Sequence, residues 1–385
     1  MKILIAPDSF KGSLTSIEAA DAIAEGFLRV FKSAVVEKIP MADGGEGTVE
    51  ALISATGGSL RRLKVKGPLG ENVDSFYGVL GDGRTAVIEM AAASGLTLIG
   101  KNDRNPLVTT SYGTGELIRH AIHRGFRKII LGIGGSATND AGAGMAQALG
   151  VRFLDHSGHD LPWGGLSLRN LAKVDLSGID HRVNETEIVV ACDVDNPLCG
   201  PRGASAVYGP QKGATPEMIP ELDGALKNFA YMSKLATGRE AAEVPGAGAA
   251  GGMGAGLLFF TNAVLKPGIQ IILEATQMKR RIMDADLVIT GEGMTDSQTS
   301  FGKAPAGIGE LAAEYNKVAI CLSGSLGSGV ESILSHGIDA FSSIAPGPIT
   351  LNECISHAPI LLEASAFRFA LALKAGMALS NRVVS

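Results

Sequence analysis

Apolar residues change period along this chain, and each change marks an element. Ile3, Leu4, Ile5 and Ala6 form an unbroken apolar run that stops at Pro7 and Asp8, the pattern of a short buried strand. Thr15 followed by Glu18 has the form of a capping box. Ile17, Ala20, Ala24, Phe27, Leu28 and Phe31 then recur at helical spacing, which gives that helix one apolar face. Residues 35–39 read as a second strand, and residues 47–56 as a helix closed by Gly57 and Gly58. Strand and helix alternating in this way predict a parallel sheet covered by helices.

The texture changes near residue 60. Residues 60–89 alternate like strands, and Val79 and Leu80 face Ala86, Val87 and Ile88 across Gly81, Asp82 and Gly83 as an antiparallel hairpin. A helix at 114–123, a strand at 128–133 and a helix at 139–149 follow. Residues 150–260 read as loop-rich, with one strand at 188–192 and a helix holding Leu257, Leu258, Phe259 and Phe260. From residue 267 the first texture returns: a helix at 269–283, a strand at 287–290, a helix at 306–315, a strand at 318–322 and a last helix at 360–379. The pattern predicts an α/β protein whose Rossmann- or flavodoxin-like parallel-sheet domain is built from both chain ends, residues 1–60 plus 266–385. A second α/β domain is inserted at 61–265, and such a split places an active site in the cleft between domains.

Composition narrows the class. At 385 residues the chain suits two domains, and 45% hydrophobic residues supply a sizeable core. The formal net charge is −5 with no Lys/Arg block, and aromatic residues make up 5%, which argues against a nucleic-acid partner. No apolar run approaches the ~18 residues of a membrane span. Cys192, Cys199, Cys321 and Cys354 form no CxxC pair, and the first apolar run is too short for a signal-peptide core, so the expectation is a soluble cytoplasmic protein with reduced thiols. The 51 glycines are about twice average usage and fall at the ends of predicted strands.

In open parallel sheets ligands bind beyond the carboxyl ends of the strands. The first strand leads into Asp8, Ser9, Lys11 and Ser13 just before a helix N-terminus, where free N–H groups attract anions. The second leads into Asp43, Gly44, Gly45, Glu46 and Gly47, which read either as a capped turn or as acids that approach a metal or a substrate hydroxyl. The strand at 128–133 runs into Gly134, Gly135, Ser136 and Asp140, a glycine loop suited to an anion. Asp193, Asp195 and Asn196 follow the strand at 188–192. Gly291, Glu292, Gly293 and Asp296 follow the strand at 287–290. Oxygen ligands of this kind suit Mg²⁺ held with substrate phosphates. Lys212, beside Gln211, and Lys303 can neutralise a transferring phosphate, or stand solvated. A GxGxxG at Gly246, Gly248 and Gly251 follows Pro245 rather than a strand, so it fails as a dinucleotide fingerprint, while Gly251 and Gly252 remain candidates for offering N–H groups to a nucleotide phosphate. GxxxxGK[ST], HExxH and GxSxG are all absent, which excludes a P-loop NTPase, a zincin and a typical α/β-hydrolase.

Acidic and glycine-rich loops with isolated lysines, and no nucleophile–base constellation, suit phosphoryl transfer. Six segments carry a resemblance: PDSFKGSL at 7–14, MADGGEGT at 41–48, GGSATND at 134–140, ACDVDNPL at 191–198, YGPQKGA at 208–214 and GEGMTDSQTSFGKAP at 291–305. In this order they resemble the signature segments of the bacterial glycerate kinase family over essentially the whole chain. The resemblance implies ATP, Mg²⁺ and the small-molecule substrate D-glycerate, phosphorylated to 2-phosphoglycerate, with the 3-phosphate and a non-enzymatic binder of a small anionic metabolite as alternatives. The resemblance does not assign residue roles; from their places in the loops Asp8, Ser9 and Lys11 are expected to meet glycerate or its phosphate, with Asp43, Glu46, Asp140, Asn196, Gln211 and Lys212 among the substrate ligands. Asp193 is the candidate base or metal ligand, with Glu292 and Asp296 near Mg²⁺. Gly251, Gly252, Gly291, Gly293 and Lys303 are expected to meet ATP. Monomer and homodimer are both open.

Overall fold

The computed structural model describes residues 1–42, 44–299 and 302–383, the side chains only as far as residue 379. Among the described residues there are thirteen strands: β1 (Lys2–Ile5), β2 (Val35–Lys38), β3 (Ser59–Lys66), β4 (Asn72–Val79), β5 (Thr85–Glu89), β6 (Lys128–Gly132), β7 (Arg152–Leu154), β8 (Lys173–Asp175), β9 (Glu187–Ala191), β10 (Ala263–Lys266), β11 (Leu287–Thr295), β12 (Val318–Leu326) and β13 (Ala340–Ser343). The chain forms two compact units, one of Met1–Asp43, Glu50–Thr56 and Ile272–Ser385, the other of Gly44–Val49 and Gly57–Ile271.

The first unit holds a five-stranded parallel sheet in the order β13-β12-β11-β1-β2. Counted within that unit the order is 2-1-3-4-5 reversed, the flavodoxin-like arrangement, and its switch point lies between β1 and β11. Ile3, Leu4 and Ile5 lie opposite Leu287, Val288 and Ile289, all buried, as expected of parallel strands covered on both faces. The helix Ser16–Leu28 carries the expected capping box and packs on the C-terminal helix Ala358–Val383. Close approach there depends on Gly26, where a Cβ would stand 2.4 Å from the Glu363 carbonyl oxygen.

The second unit holds a six-stranded sheet, β10-β9-β6-β5-β4-β3, in which the first four strands are parallel and β4 pairs antiparallel with both β5 and β3. The predicted hairpin is the β4–β5 pair. Residues 150–260 are richer in structure than the sequence pattern suggested. The helix Met218–Thr237 buries Leu222, Ala225, Leu226, Phe229 and Ser233 at helical spacing against Phe153, Phe259 and Phe260. β7, β8 and β10, of three or four residues each, lie in or beside that loop-rich stretch and were not expected.

Three boundaries moved for identifiable reasons. The helix expected at 139–149 begins at Ala143, because Ala141 and Gly142 are left-handed at φ 54° and 71°. The helix expected at 269–283 is two, Gly268–Ala275 and Met278–Met283, split at Gln277 with φ 53°. The strand expected at 287–290 continues to Thr295, so the acidic segment is extended backbone paired with β12 rather than a loop. Among the described residues no helix is long and apolar enough to cross a membrane.

Candidate active site

In the first unit, the segment after β1 stays bonded to β11: Ala6 N–H donates to the Ile289 carbonyl at 2.7 Å and Asp8 N–H to the Gly291 carbonyl at 2.8 Å. This brings Asp8, Ser9 and Lys11 to the switch point together with Gly291, Glu292 and Gly293. Gly293 sits so close that a Cβ on it would lie 3.3 Å from the Lys11 nitrogen. Asp8 is buried, and its Oδ1 accepts from Ser9 N–H at 2.6 Å. Phe10 and Leu14 pair across a tight turn, so the Lys11-bearing loop is short and closed.

Glu292 stands at the centre of a buried hydroxyl network. Its Oε1 accepts from Thr295 Oγ1 at 3.0 Å and from Thr299 Oγ1 at 2.6 Å, and the Thr295 and Ser323 hydroxyls lie 2.7 Å apart. Burial pushes the Glu292 carboxyl above its ordinary range, against the pull of Thr299, Lys303 and Thr295. Through that oxygen the carboxyl holds the 295–299 turn in shape. Asp296, partly exposed, accepts from Gln298 N–H at 2.8 Å on that turn, and Lys303 stands at the N-cap of the helix Ala304–Glu314. Glu292→Gln keeps an oxygen acceptor and is expected to change unfolding free energy by less than about 1 kcal/mol, whereas Glu292→Ala should cost about 2–3 kcal/mol in chemical denaturation.

In the second unit, β6 delivers the glycine loop. Gly134 and Gly135 are exposed at its tip, and Ser136 is buried behind them. Lys212, at 1% exposure, comes up beneath the loop; its Nζ donates to Ser136 Oγ at 2.9 Å and to the Thr138 carbonyl at 2.6 Å. Burial drags the Lys212 ammonium down to about 7, with Asp140 opposing the fall. Asp140 itself is 1% exposed: its Oδ2 accepts from Ser111 N–H and Ser111 Oγ, both at 2.8 Å, and from Gly144 N–H at 3.2 Å, while Oδ1 accepts from Gly142 N–H at 3.2 Å. Burial raises its pKa against these bonds. Asp140, expected as a substrate ligand, is therefore turned inward, where it fixes the starts of the helices Tyr112–His123 and Ala143–Ala148.

The segment after β9 divides. Asp193 is exposed with Oδ1 accepting from Gly268 N–H at 2.8 Å, which orients its carboxylate. Asn196 is occupied by protein partners: Nδ2 donates to the Arg202 carbonyl at 2.8 Å, and Oδ1 accepts from Tyr208 OH at 2.5 Å. Gln211 is exposed on the turn that carries Lys212, and Glu46 is exposed beside Gly45. Asp43 lies outside the described residues.

The expectation that Gly251 and Gly252 offer N–H groups to a phosphate meets a different geometry. Both are buried, left-handed at φ 73° and 89°, and a Cβ on Gly251 would stand 1.9 Å from the Thr138 oxygen. They are glycines because helix and glycine loop touch backbone to backbone. Gly291 is likewise packed on β12, where a Cβ would meet the Leu322 oxygen at 2.1 Å. Sequence reasoning passed over Glu89, buried at the end of β5 with Oε1 accepting from Val49 N–H at 2.6 Å. The same search beyond strand ends would have found it. Ser111, which bonds Asp140, was not singled out; its one signal is a hydroxyl residue shortly before a helix.

Among the described residues no three His, Cys, Asp or Glu side chains converge on a metal site. The fit is to an ion held through one carboxylate and substrate phosphates rather than by an all-protein cage. Of the three metal candidates, Asp296 and Asp193 keep carboxylates near solvent.

One parallel and one mixed sheet with glycine- and hydroxyl-rich turns at their strand ends, and a buried lysine under one such turn, are the features of an α/β protein able to receive anions without a P-loop. A model of the glycerate kinase family matches residues 3–374, and the chain belongs to that family. It is 53% identical over 374 residues to the glycerate kinase of Bacillus subtilis strain 168, covering 97% of this chain and 98% of that one. It is 52% identical over 358 residues to the glycerate 2-kinase of Escherichia coli K12, covering 93% and 94%. A crystal structure of a Salmonella typhimurium LT2 protein described as a glycerate kinase 2 superposes with a TM-score of 0.90 at 51% identity, over 98% of this chain and 99% of that one. The protein is thus a phosphotransferase, and membership in a kinase family implies ATP as the phosphoryl donor.

Proposed function

We propose that this protein transfers the γ-phosphoryl group of ATP to the 2-hydroxyl of D-glycerate, giving 2-phosphoglycerate and ADP. The observation that carries the regiochemistry is the 52% identity to a glycerate 2-kinase across most of both chains. The hydroxyl oxygen forms the new bond to the γ-phosphorus as the bond to the β–γ bridging oxygen breaks, and the hydroxyl proton passes to a carboxylate. Asp193 is our candidate for that base, since Gly268 fixes its orientation while leaving it at the surface. The Gly134–Ser136 loop with Lys212 beneath it receives an anion, and Asp8, Ser9 and Lys11 meet the substrate or its phosphate. Gly293 and Lys303 belong on the nucleotide side, with Asp296 as the residue that would hold Mg²⁺. That ion would neutralise nucleotide phosphate charge. All four cysteines are free, which with ATP as donor favours a cytoplasmic setting.

The test is a coupled assay of ADP release with D-glycerate, with the product identified by NMR. Release of ADP with phosphate on C2 is expected; phosphate on C3, or no ADP, would sink the reading. Asp193→Asn is expected to lower kcat by about 10²–10⁴-fold with little change in KM, the range for a lost general base. Full turnover in that variant would remove the assignment.

A further inference from the structure

Arg104 is the side chain whose chemistry the roles above leave unused. Its guanidinium makes a single, long hydrogen bond, from Nη1 to the Gln211 carbonyl at 3.3 Å. Its Nε is buried and has no partner among the described residues. Burying an N–H without an acceptor is costly, and arginines held below the surface ordinarily pair with a carboxylate. Among the described residues Arg104 pairs with none. The position is nevertheless built. Gly213, left-handed at φ 95°, is packed so tightly on Arg104 that a Cβ there would lie 2.4 Å from the Arg104 oxygen. The turn between is the one that sends Lys212 under the glycine loop.

The segment that starts at Arg104 is then fastened to that same loop. Asn105 organises its first turn, with Oδ1 accepting from Leu107 N–H at 3.1 Å. Thr109 Oγ1 donates to the Ala137 carbonyl at 3.1 Å, and Ser111 bonds Asp140. Arg104 is thus tied to the Ser136 loop from both directions, through the Lys212 turn and through Thr109. A planar fork with unspent donors matches a planar two-oxygen anion better than a point cation does.

We propose that Arg104 binds the carboxylate of the acceptor substrate and is the residue that selects a hydroxy acid over a neutral polyol. This rests on the D-glycerate reading and deepens it. The rounder phosphate falls to the exposed Gly134–Gly135 backbone and Lys212; the carboxylate falls to the fork.

The experiment uses the full-length chain, wild type beside Arg104→Lys and Arg104→Gln. D-glycerate binding is measured by calorimetry without nucleotide, and KM is measured for D-glycerate, ATP and the neutral amide of D-glycerate. Loss of a charge-assisted hydrogen-bond pair predicts a rise of about 10- to 100-fold in the dissociation constant and KM for D-glycerate. The KM for ATP should stay within about twofold, and the preference for D-glycerate over its amide should shrink by the same factor as the affinity. Melting temperature should hold in both variants, because the guanidinium satisfies so little of the fold. An unchanged D-glycerate affinity overturns the proposal, as does a KM rise confined to ATP, which would place the fork on phosphate. Wild-type protein that ignores D-glycerate would instead defeat the functional reading itself, and this inference with it.

Discussion

Lys212→Met is expected to lose at least about a hundredfold in kcat/KM, the cost of removing one charged or oxyanion-stabilising donor from a phosphoryl- or acyl-transfer site. An ammonium at 1% exposure is disfavoured by its surroundings, and only the bonds to Ser136 and Thr138 and the field of Asp140 keep it there. Because folding lowers the Lys212 pKa from 10.5 to about 7, the folded chain binds fewer protons than the unfolded chain between those values. Stability should therefore rise with pH across that window in wild type, and urea titrations should find that slope missing in Lys212→Met. Catalysis runs the other way. If the charged form receives the anion, kcat/KM should fall on the alkaline side of about pH 7 in the free enzyme, and the methionine variant should show no such limb. A limb that survives the substitution would show that another group titrates there.

How much of this was visible beforehand depends on the residue. Lys212 was legible as a lysine in a glycine-flanked turn, but its burial was not, because the loop it supports lies more than seventy positions away. The rule that ligands gather beyond strand ends directed attention to Asp8, Gly134 and Asp193, which the structure places just after β1, β6 and β9. Gly251 and Gly252 were singled out by their glycine motif instead, a signal as strong for close backbone packing as for anion binding. Composition cannot separate those two uses; only the neighbour at 1.9 Å does. Asp140 misled for a related reason. An acid in a glycine-rich segment looks available until the three N–H groups of Ser111, Gly142 and Gly144 are seen to claim it. Arg104 gave no signal, since it follows no predicted strand and belongs to no glycine loop. The parallel sheets were readable because fully buried runs such as residues 3–6 have one structural use. β7, β8 and β10 were not, because three or four residues in or beside a loop-rich stretch carry no measurable period.

Asp140→Ala is expected to be the most destabilising single change in the second unit. It would leave the N–H groups of Ser111, Gly142 and Gly144 buried without acceptors. At about 1–3 kcal/mol for each orphaned donor the loss is on the order of 5 kcal/mol. For a unit of this size that lowers the melting temperature by roughly 10 °C or more. Asp140→Asn separates the bonds from the charge. With the amide oxygen in the Oδ2 position, Ser111 and Gly144 keep their acceptor and only Gly142 faces a donor, so the cost should be about 1–2 kcal/mol. Part of that is returned, since burial raises the Asp140 pKa and the folded state is penalised for carrying the carboxylate as pH climbs above 3.8. The charge has a second consequence. Asp140 is the group that opposes the fall of the Lys212 pKa, so its neutralisation lets burial pull that pKa lower still. The alkaline limb of kcat/KM in Asp140→Asn should therefore move to lower pH than in wild type, while the protein remains folded by circular dichroism. A limb at the wild-type position would mean that Asp140 shapes the glycine loop through its hydrogen bonds alone, and that the charge on Lys212 is set elsewhere.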